Sequence, residues 1–369
     1  MHTRVQRLFS FKNCQLLFSF LFSLSPTKPN AAHVRLCPFY GEDFRAVFLS
    51  PARRFPLLAL LGFAGIIYVI NAYSHTFQNE RTVVMSLAAK QIFFRIVAIF
   101  TVVVTLPLAV LTNGLDAITR SERPQEISMQ NVVGAGAYFR SQGITNDGEH
   151  FYFSAKTSIL RTEADGVTHD LCNFSAIPDE LAENYGIAHI GGLSYYDGKI
   201  YAGLEDSKVW DYPIVGVYDA ETLELTDYYI LDCEVVTRGL PWVAVNPENG
   251  YLYCTDHSKN PTKLLAYDVN NAMEFVGEVT LAESTYAIQG GEFYNGTLYC
   301  ATNDDTQAIY AVNVTDGTVE KVLDRNLTGL SEGEGMTIVT KNGEDMICAI
   351  DMGTIYINAH IRYFEFPNK

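Results

Sequence analysis

One outline occurs five times along the C-terminal part of the chain. It reads QGITNDGEHFYFSAKTS from Gln142, HIGGLSYYDGKIYAGLED from His189, PWVAVNPENGYLYCTDHS from Pro241, QGGEFYNGTLYCATND from Gln289 and GEGMTIVTKNGEDMICAIDMG from Gly333. Each copy starts on glycine or Pro-Trp and runs through a short apolar strand, a polar turn with glycine and a second strand. Aligning Phe153, Tyr201, Tyr253, Tyr299 and Ile347 gives spacings of 48, 52, 46 and 48 residues. Units of roughly 40 to 50 residues, rich in short strands and Asp-Gly or Asn-Gly turns, are the sequence sign of a β-propeller, in which four-stranded sheets pack radially around a channel.

The stretches between copies fit the outer half of such a unit. PIVGVYDAETLELTDYYILD (213–232) reads as a hairpin turning at Asp219 to Thr222, and AIYAVNVTDGTVEKVL (308–323) as one turning at Asp316-Gly317. The last copy stops at its third strand, IYINAHIRYFEF, while an apolar piece without a partner, NVVGAGAYF (131–139), precedes the first. The N-terminal strand is therefore expected to complete the last blade, which closes the ring and removes an exposed edge. The reading is an all-β propeller over 131–369, with five blades and six as the alternative.

One position beyond the aligned aromatics stand Ser154, Ala202, Cys254, Cys300 and Cys348, all small. Inner strands crowd the axis, so this column is expected in the core, with its cysteines acting as small hydrophobes. Cys172 and Cys233 lie on connecting segments, and their pairing is left open.

Residues 1–125 have a different composition. FPLLALLGFAGIIYVI (55–70) and IVAIFTVVVTLPLAVLT (96–112) carry no charge, and the second is near the lower limit for spanning a bilayer. Lys90 and Arg95 precede it and Asp116 follows it, which puts its start in the cytoplasm and the propeller outside. Arg45, Arg53 and Arg54 would draw the start of the first run to the same side, and two consecutive spans cannot both run outward. A chain whose functional start is Met85 resolves the conflict: residues 85–113 then read as a signal anchor or transmembrane helix, 1–84 as an uncertain N-terminal region, and 114–130 as a polar linker.

The whole chain carries 26 basic against 42 acidic residues, net -16, and half of the basic ones precede the propeller. Nucleic acid is excluded as a partner, because phosphate binding needs a basic face. A small molecule, peptide or protein remains open. Neither a G-x-S-x-G elbow, a P-loop, H-E-x-x-H nor C-x-x-C is present. Sequons occur at Asn173, Asn295, Asn313 and Asn326.

Four positions beyond the aligned aromatics stand Thr157, Glu205, His257, Asn303 and Asp351. One polar group per blade at the channel mouth is an arrangement that could hold a cation or a polar ligand. Glu205, Asn303 and Asp351 are the candidate metal ligands, and oxygen donors favour calcium or another hard divalent cation. His257 and His189 are the candidate acid–base residues. Gln142, Trp242, Gln289 and Glu334, on the first strands beside the axial glycines, are candidate ligand-binding residues.

The blade outline resembles the propeller group that includes NHL-repeat proteins, the gluconolactonase and strictosidine-synthase-like enzymes and the plant-type glutaminyl cyclotransferases. SQGITNDGEHFYFS (141–154) followed by SILRTEADG (158–166) is similar to the opening of the cyclotransferases. The glutamate that family carries soon after the strand aromatic has no counterpart in Phe153, Ser154 and Ala155. Resemblance to the gluconolactonase group implies a divalent cation in the channel held by Glu, Asn and Asp from different blades. Two expectations follow: a membrane-anchored, extracytoplasmic propeller that binds a ligand, cation or partner at its mouth, or a divalent-metal-dependent hydrolase or lactonase.

Overall fold

The computed structural model of the chain describes residues 106–119, 122–206, 210–328, 331–353 and 358–366. The chain divides into two compact units, residues 1–104 and 105–369, and everything described belongs to the second. Helix α1 (Leu106–Thr119) leads to strand β1 (Glu126–Val133) and the short helix α2 (Ala135–Tyr138). The first blade is β2 (Ile144–Asn146), β3 (His150–Ala155), β4 (Ser158–Glu163) and β5 (His169–Asn173). Helix α3 (Asp179–Tyr185) joins it to the second, β6 (His189–Tyr196), β7 (Lys199–Glu205), β8 (Ile214–Asp219) and β9 (Leu225–Ile230). The third is β10 (Ala244–Asn246), β11 (Tyr251–Cys254), β12 (Lys263–Asp268) and β13 (Glu274–Thr280), and the fourth β14 (Ile288–Tyr294), β15 (Thr297–Thr302), β16 (Ile309–Val312) and β17 (Val319–Leu323). Strands β18 (Glu332–Lys341), β19 (Glu344–Met352) and β20 (Asn358–Glu365) follow.

Five four-stranded antiparallel sheets result, and the last has the order β1-β20-β19-β18. The N-terminal strand does close the ring, pairing from Glu126 opposite Phe364 to Val133 opposite Asn358 with one register shift between Glu126 and Ser128. It begins at Glu126, ahead of the expected 131, and the Ala-Gly-Ala-Tyr that follows is helical. Three inner hairpins turn on Asp197-Gly198, Asn295-Gly296 and Asn342-Gly343, with φ positive at both central residues. That is the type I′ turn whose twist matches the strands it joins, and these residue pairs tolerate it best. At the axis, Gly191 lies so close to the third blade that a Cβ there would sit 2.0 Å from the Pro241 carbonyl oxygen.

The core is a series of layers between neighbouring blades. Tyr152, Tyr201, Tyr253 and Cys348 lie in the layers shared with the following blade, where Tyr299 also packs. Phe153, Ala202, Cys254, Cys300 and Ala349 lie in the layers shared with the preceding one. The expected alignment is therefore correct in the three middle blades and slipped by one residue in the first and last. Side chains alternate along a strand, so a slip of one moves a residue to the other face. The cause is visible in the sequence: FYF (151–153) offers an aromatic to both faces, and MICAI (346–350) offers none. Cys254, Cys300 and Cys348 are fully buried and free, but Cys348 faces opposite to the other two. Cys172 and Cys233 are also free.

The segment expected as a linker is structural. Asp116, Arg123 and Glu126 are buried, and Arg362 on β20 joins them: its Nη2 is 2.8 Å from Asp116 Oδ1, its Nη1 2.9 Å from Glu126 Oε2 and its Nε 2.5 Å from Asp351 Oδ1. Arg123 pairs with Asp116 at 3.0 Å and Glu126 at 2.7 Å. Among the described residues no helix is long and apolar enough to cross a membrane. The runs 55–70 and 96–105, with the start at Met85, lie outside the described residues.

Candidate functional site at the channel mouth

The end of β7 places Glu205 between two histidines. Its residue is 2% exposed, and its carboxylate is gripped by two histidines from different blades. His189 Nδ1, at the start of β6, lies 3.1 Å from Oε2. His257 Nε2, just beyond β11, lies 3.0 Å from Oε2 and 2.9 Å from Oε1, and only the approach to Oε2 has hydrogen-bond geometry. Oε1 is thus buried without a hydrogen bond. Gly239 holds the floor open with φ +73°: a Cβ there would meet Oε1 at 2.4 Å. Burial alone would raise the carboxyl pKa, but the hydrogen bonds from His189 and His257 outweigh it and bring it down to about 2. The group is therefore a buried anion at neutral pH.

The chain of contacts extends on both sides. His189 Nε2 meets Gln142 Oε1 at 2.6 Å. The two ring nitrogens of His189 thus face Glu205 Oε2 on one side and the Gln142 amide on the other. His257 is covered on one face by Trp210, stacked at 5.6 Å and 25°. The His189 side chain is 20% exposed and that of His257 35%, so the two rings are the solvent-facing lips over the sunken carboxylate.

The other expected residues separate into three places. Asp351 lies on the other face of its strand because of the slip in the last blade. Its oxygens are taken by Arg362 and by His360 Nδ1 at 2.8 Å, and coulombic attraction from Arg362 outweighs burial to hold it far below the usual carboxylate range. Asn303 has its Oδ1 buried without a partner and its backbone N–H on the Ala287 carbonyl. Glu205 and Asp351 thus have different partners, and the described residues hold no group of three or more His, Cys, Asp or Glu that could bind a metal ion. Trp242 is fully buried in the layer between blades three and four, with Nε1 donating to Thr255 Oγ1 at 2.9 Å. It is a core residue, closed to a stacking ligand.

Glu334 is buried beside Glu332, and burial first, then the charge of Glu332, raises its pKa well above the ordinary range, with Arg325 opposing. Arg325 itself is caged by carbonyls, its Nε on Gln307 at 2.5 Å and Nη2 on Thr302 at 3.0 Å. Gln289 is half-buried at the axis, its carbonyl oxygen against Gly192. Thr157 gives its carbonyl to Ala176 N–H.

The inner strands are also tied by polar groups in four of the five blades. Thr145 Oγ1 accepts the Tyr195 N–H at 3.0 Å and Ser194 Oγ accepts the Val245 N–H at 2.9 Å. The third blade has Ala244 at this place and offers no acceptor. In the fourth, the Glu292 carboxyl takes the Phe293 N–H and the hydroxyls of Thr145 and Thr337, at 3.2 and 3.1 Å. Burial outweighs those hydrogen bonds and raises Glu292 to about 7. Sequence reasoning passed over Glu292 and Trp210. The signals were there: one is an acid inside an apolar inner strand, QGGEFY, and the other is one of only two tryptophans.

Comparison with known proteins adds little to this geometry. A family described as a repeat of unknown function, DUF6923, matches residues 242–343, from Trp242 to the turn of the first hairpin of the last blade. Among solved structures, the hydrazine synthase of Kuenenia stuttgartiensis is similar over 58% of this chain and 56% of that one, with 14% identity and a TM-score of 0.36. A chain of a mitotic checkpoint complex is similar over 65% of this chain and 91% of that one, with 8% identity and a TM-score of 0.36. No curated protein matches. The chain carries a matched repeat on a five-bladed propeller.

Proposed function

We propose that this is a ligand-binding propeller that takes a small polar molecule at its channel mouth, on Glu205, His189 and His257. The reading also has the domain tethered to a membrane through residues 85–113 and displayed outside the cytoplasm, where its acidity keeps it soluble. One observation carries the binding role: a buried, ionised carboxylate whose Oε1 has no hydrogen bond lies under two partly exposed imidazoles. A buried anion left one bond short is costly unless a donor arrives, so the mouth favours a ligand with a hydroxyl or ammonium group.

A hydrolase reading keeps one supporting feature, the contact of two imidazoles with one carboxylate, which suits a proton relay. No step is routed through a metal.

The test is thermal unfolding of the full chain in detergent with a panel of polyols, small amines and lactones. A ligand at about 100 times its dissociation constant adds roughly 2.7 kcal/mol to stability. A rise in Tm that Glu205→Gln and His257→Gln abolish supports the reading, while no rise with any compound overturns it. Release of acid from the lactones, lost in His189→Gln, would move the protein to the hydrolases.

A further inference from the structure

Away from the channel, a groove of about 680 Å³ runs between the outer strands of blades two and three. Six consecutive residues, Asp227 to Asp232, line it, together with Tyr185, Tyr267, Met273 and Phe275. Successive side chains of a strand point to opposite faces. A cavity that touches every residue from 227 to 232 therefore follows the edge of β9 rather than one of its faces. That edge is open: β9 is the outermost strand of its sheet and pairs only with β8. An open edge presents a row of backbone donors and acceptors to any extended chain.

The walls carry a second message. Tyr185 and Tyr228 meet edge-on at 6.2 Å, and Tyr267 and Phe275 pair at 5.3 Å. Phe275 and Ile230 are each 46% exposed. The Tyr267 hydroxyl is buried and has no hydrogen-bond partner, although its ring lines the groove. Asp227 and Asp232 are exposed at the rim, and the stretches 212–236 and 264–287 contain acids but no lysine, arginine or histidine. Aromatic faces with carboxylates beside them attract organic cations.

We propose that this groove docks an extended peptide segment carrying lysine or arginine, which adds to the edge of β9 as a further strand. Its backbone pairs with the strand edge, and its cationic side chains lie between the tyrosines and the two aspartates. The occupant is a second polypeptide, chosen by charge and by an extended conformation.

The experiment is fluorescence anisotropy of the full chain in detergent, at physiological salt, with a labelled, capped peptide alternating lysine and valine. Comparison peptides carry glutamine in place of lysine, or N-methyl groups on alternate backbone nitrogens, which block strand pairing. The expected result is binding of the lysine peptide, roughly tenfold weaker binding of both comparison peptides, and a similar loss in the Asp227→Asn, Asp232→Asn double variant and in Phe275→Ala. These positions are exposed, so the variants keep the wild-type Tm, which is measured alongside. Equal binding of the N-methylated peptide, or affinity unchanged in the groove variants, means adsorption to an acidic surface and overturns the proposal. Absence of binding overturns it as well.

Discussion

Glu292 shows how one substitution in a repeat alters a property of the whole. The hydroxyls that donate to it, on Thr145 and Thr337, do not titrate, whereas it ionises at about 7 because burial disfavours its charge. A carboxyl whose pKa is raised on folding binds its proton more tightly in the native state. Its stabilisation is fully present below the unfolded value of roughly 4.3 and is lost as pH rises through about 7. Urea unfolding is therefore expected to show stability falling between those limits by at most about 3 kcal/mol. Glu292→Gln, uncharged at every pH, should flatten that slope, and an unchanged slope would assign it to another group. Arg362 is the opposite case, a charge enclosed by three carboxylates. Arg362→Met leaves Asp116, Glu126 and Asp351 buried around an apolar chain, and a loss of about 3 to 5 kcal/mol in urea unfolding is expected. A loss below about 1 kcal/mol would mean that water reaches the cluster.

At the scale of elements, the sequence was most informative where side-chain chemistry dictates backbone. The Asp-Gly and Asn-Gly turns located three inner hairpins, and the outer hairpins fell where their turn residues predicted. Register was less legible: FYF and MICAI fit either face, and only packing against the neighbouring blade decides between them. That one ambiguity put Asp351 on the other face of its strand from the one the alignment implied. The ends of elements were hidden too. Asp116, Arg123 and Glu126 read as a polar linker because their partner, Arg362, is more than two hundred residues away in sequence. A test follows from this. A chain starting at residue 134, without β1, leaves β20 as an open edge, and light scattering should show concentration-dependent aggregation. A chain starting at residue 106 should remain monodisperse with a single unfolding transition. Equal behaviour of the two would mean that β1 is dispensable.

For the molecule as a whole, periodicity was enough to reach a closed ring, because a fivefold outline with an incomplete last unit has few other solutions. Chemistry was not legible in the same way. Glu205 and His257 lie 52 residues apart in sequence and meet within 3.0 Å only because their blades are neighbours. A sequence column can nominate one polar residue per blade but cannot say which of them turn toward each other. Here the first three blades supply the mouth cluster, through Gln142, His189, Glu205 and His257, and the fourth and fifth supply buried structural charge.

The antiparallel pairing of β1 with β20 also sets an order of events. Glu126 faces Phe364, and the Glu365 N–H donates to the Gln125 carbonyl, so, among the described residues, the first strand to be synthesised is bonded to the last. While a ribosome is still making the intervening blades, β1 has no partner, and the fifth sheet cannot form until residues 358–365 have emerged. Closure is thus a late, long-range step that follows the assembly of four local sheets, and loop-closure entropy makes such a step slow. Until then the nascent chain exposes sheet edges to its neighbours, and those edges are where wrong association can begin.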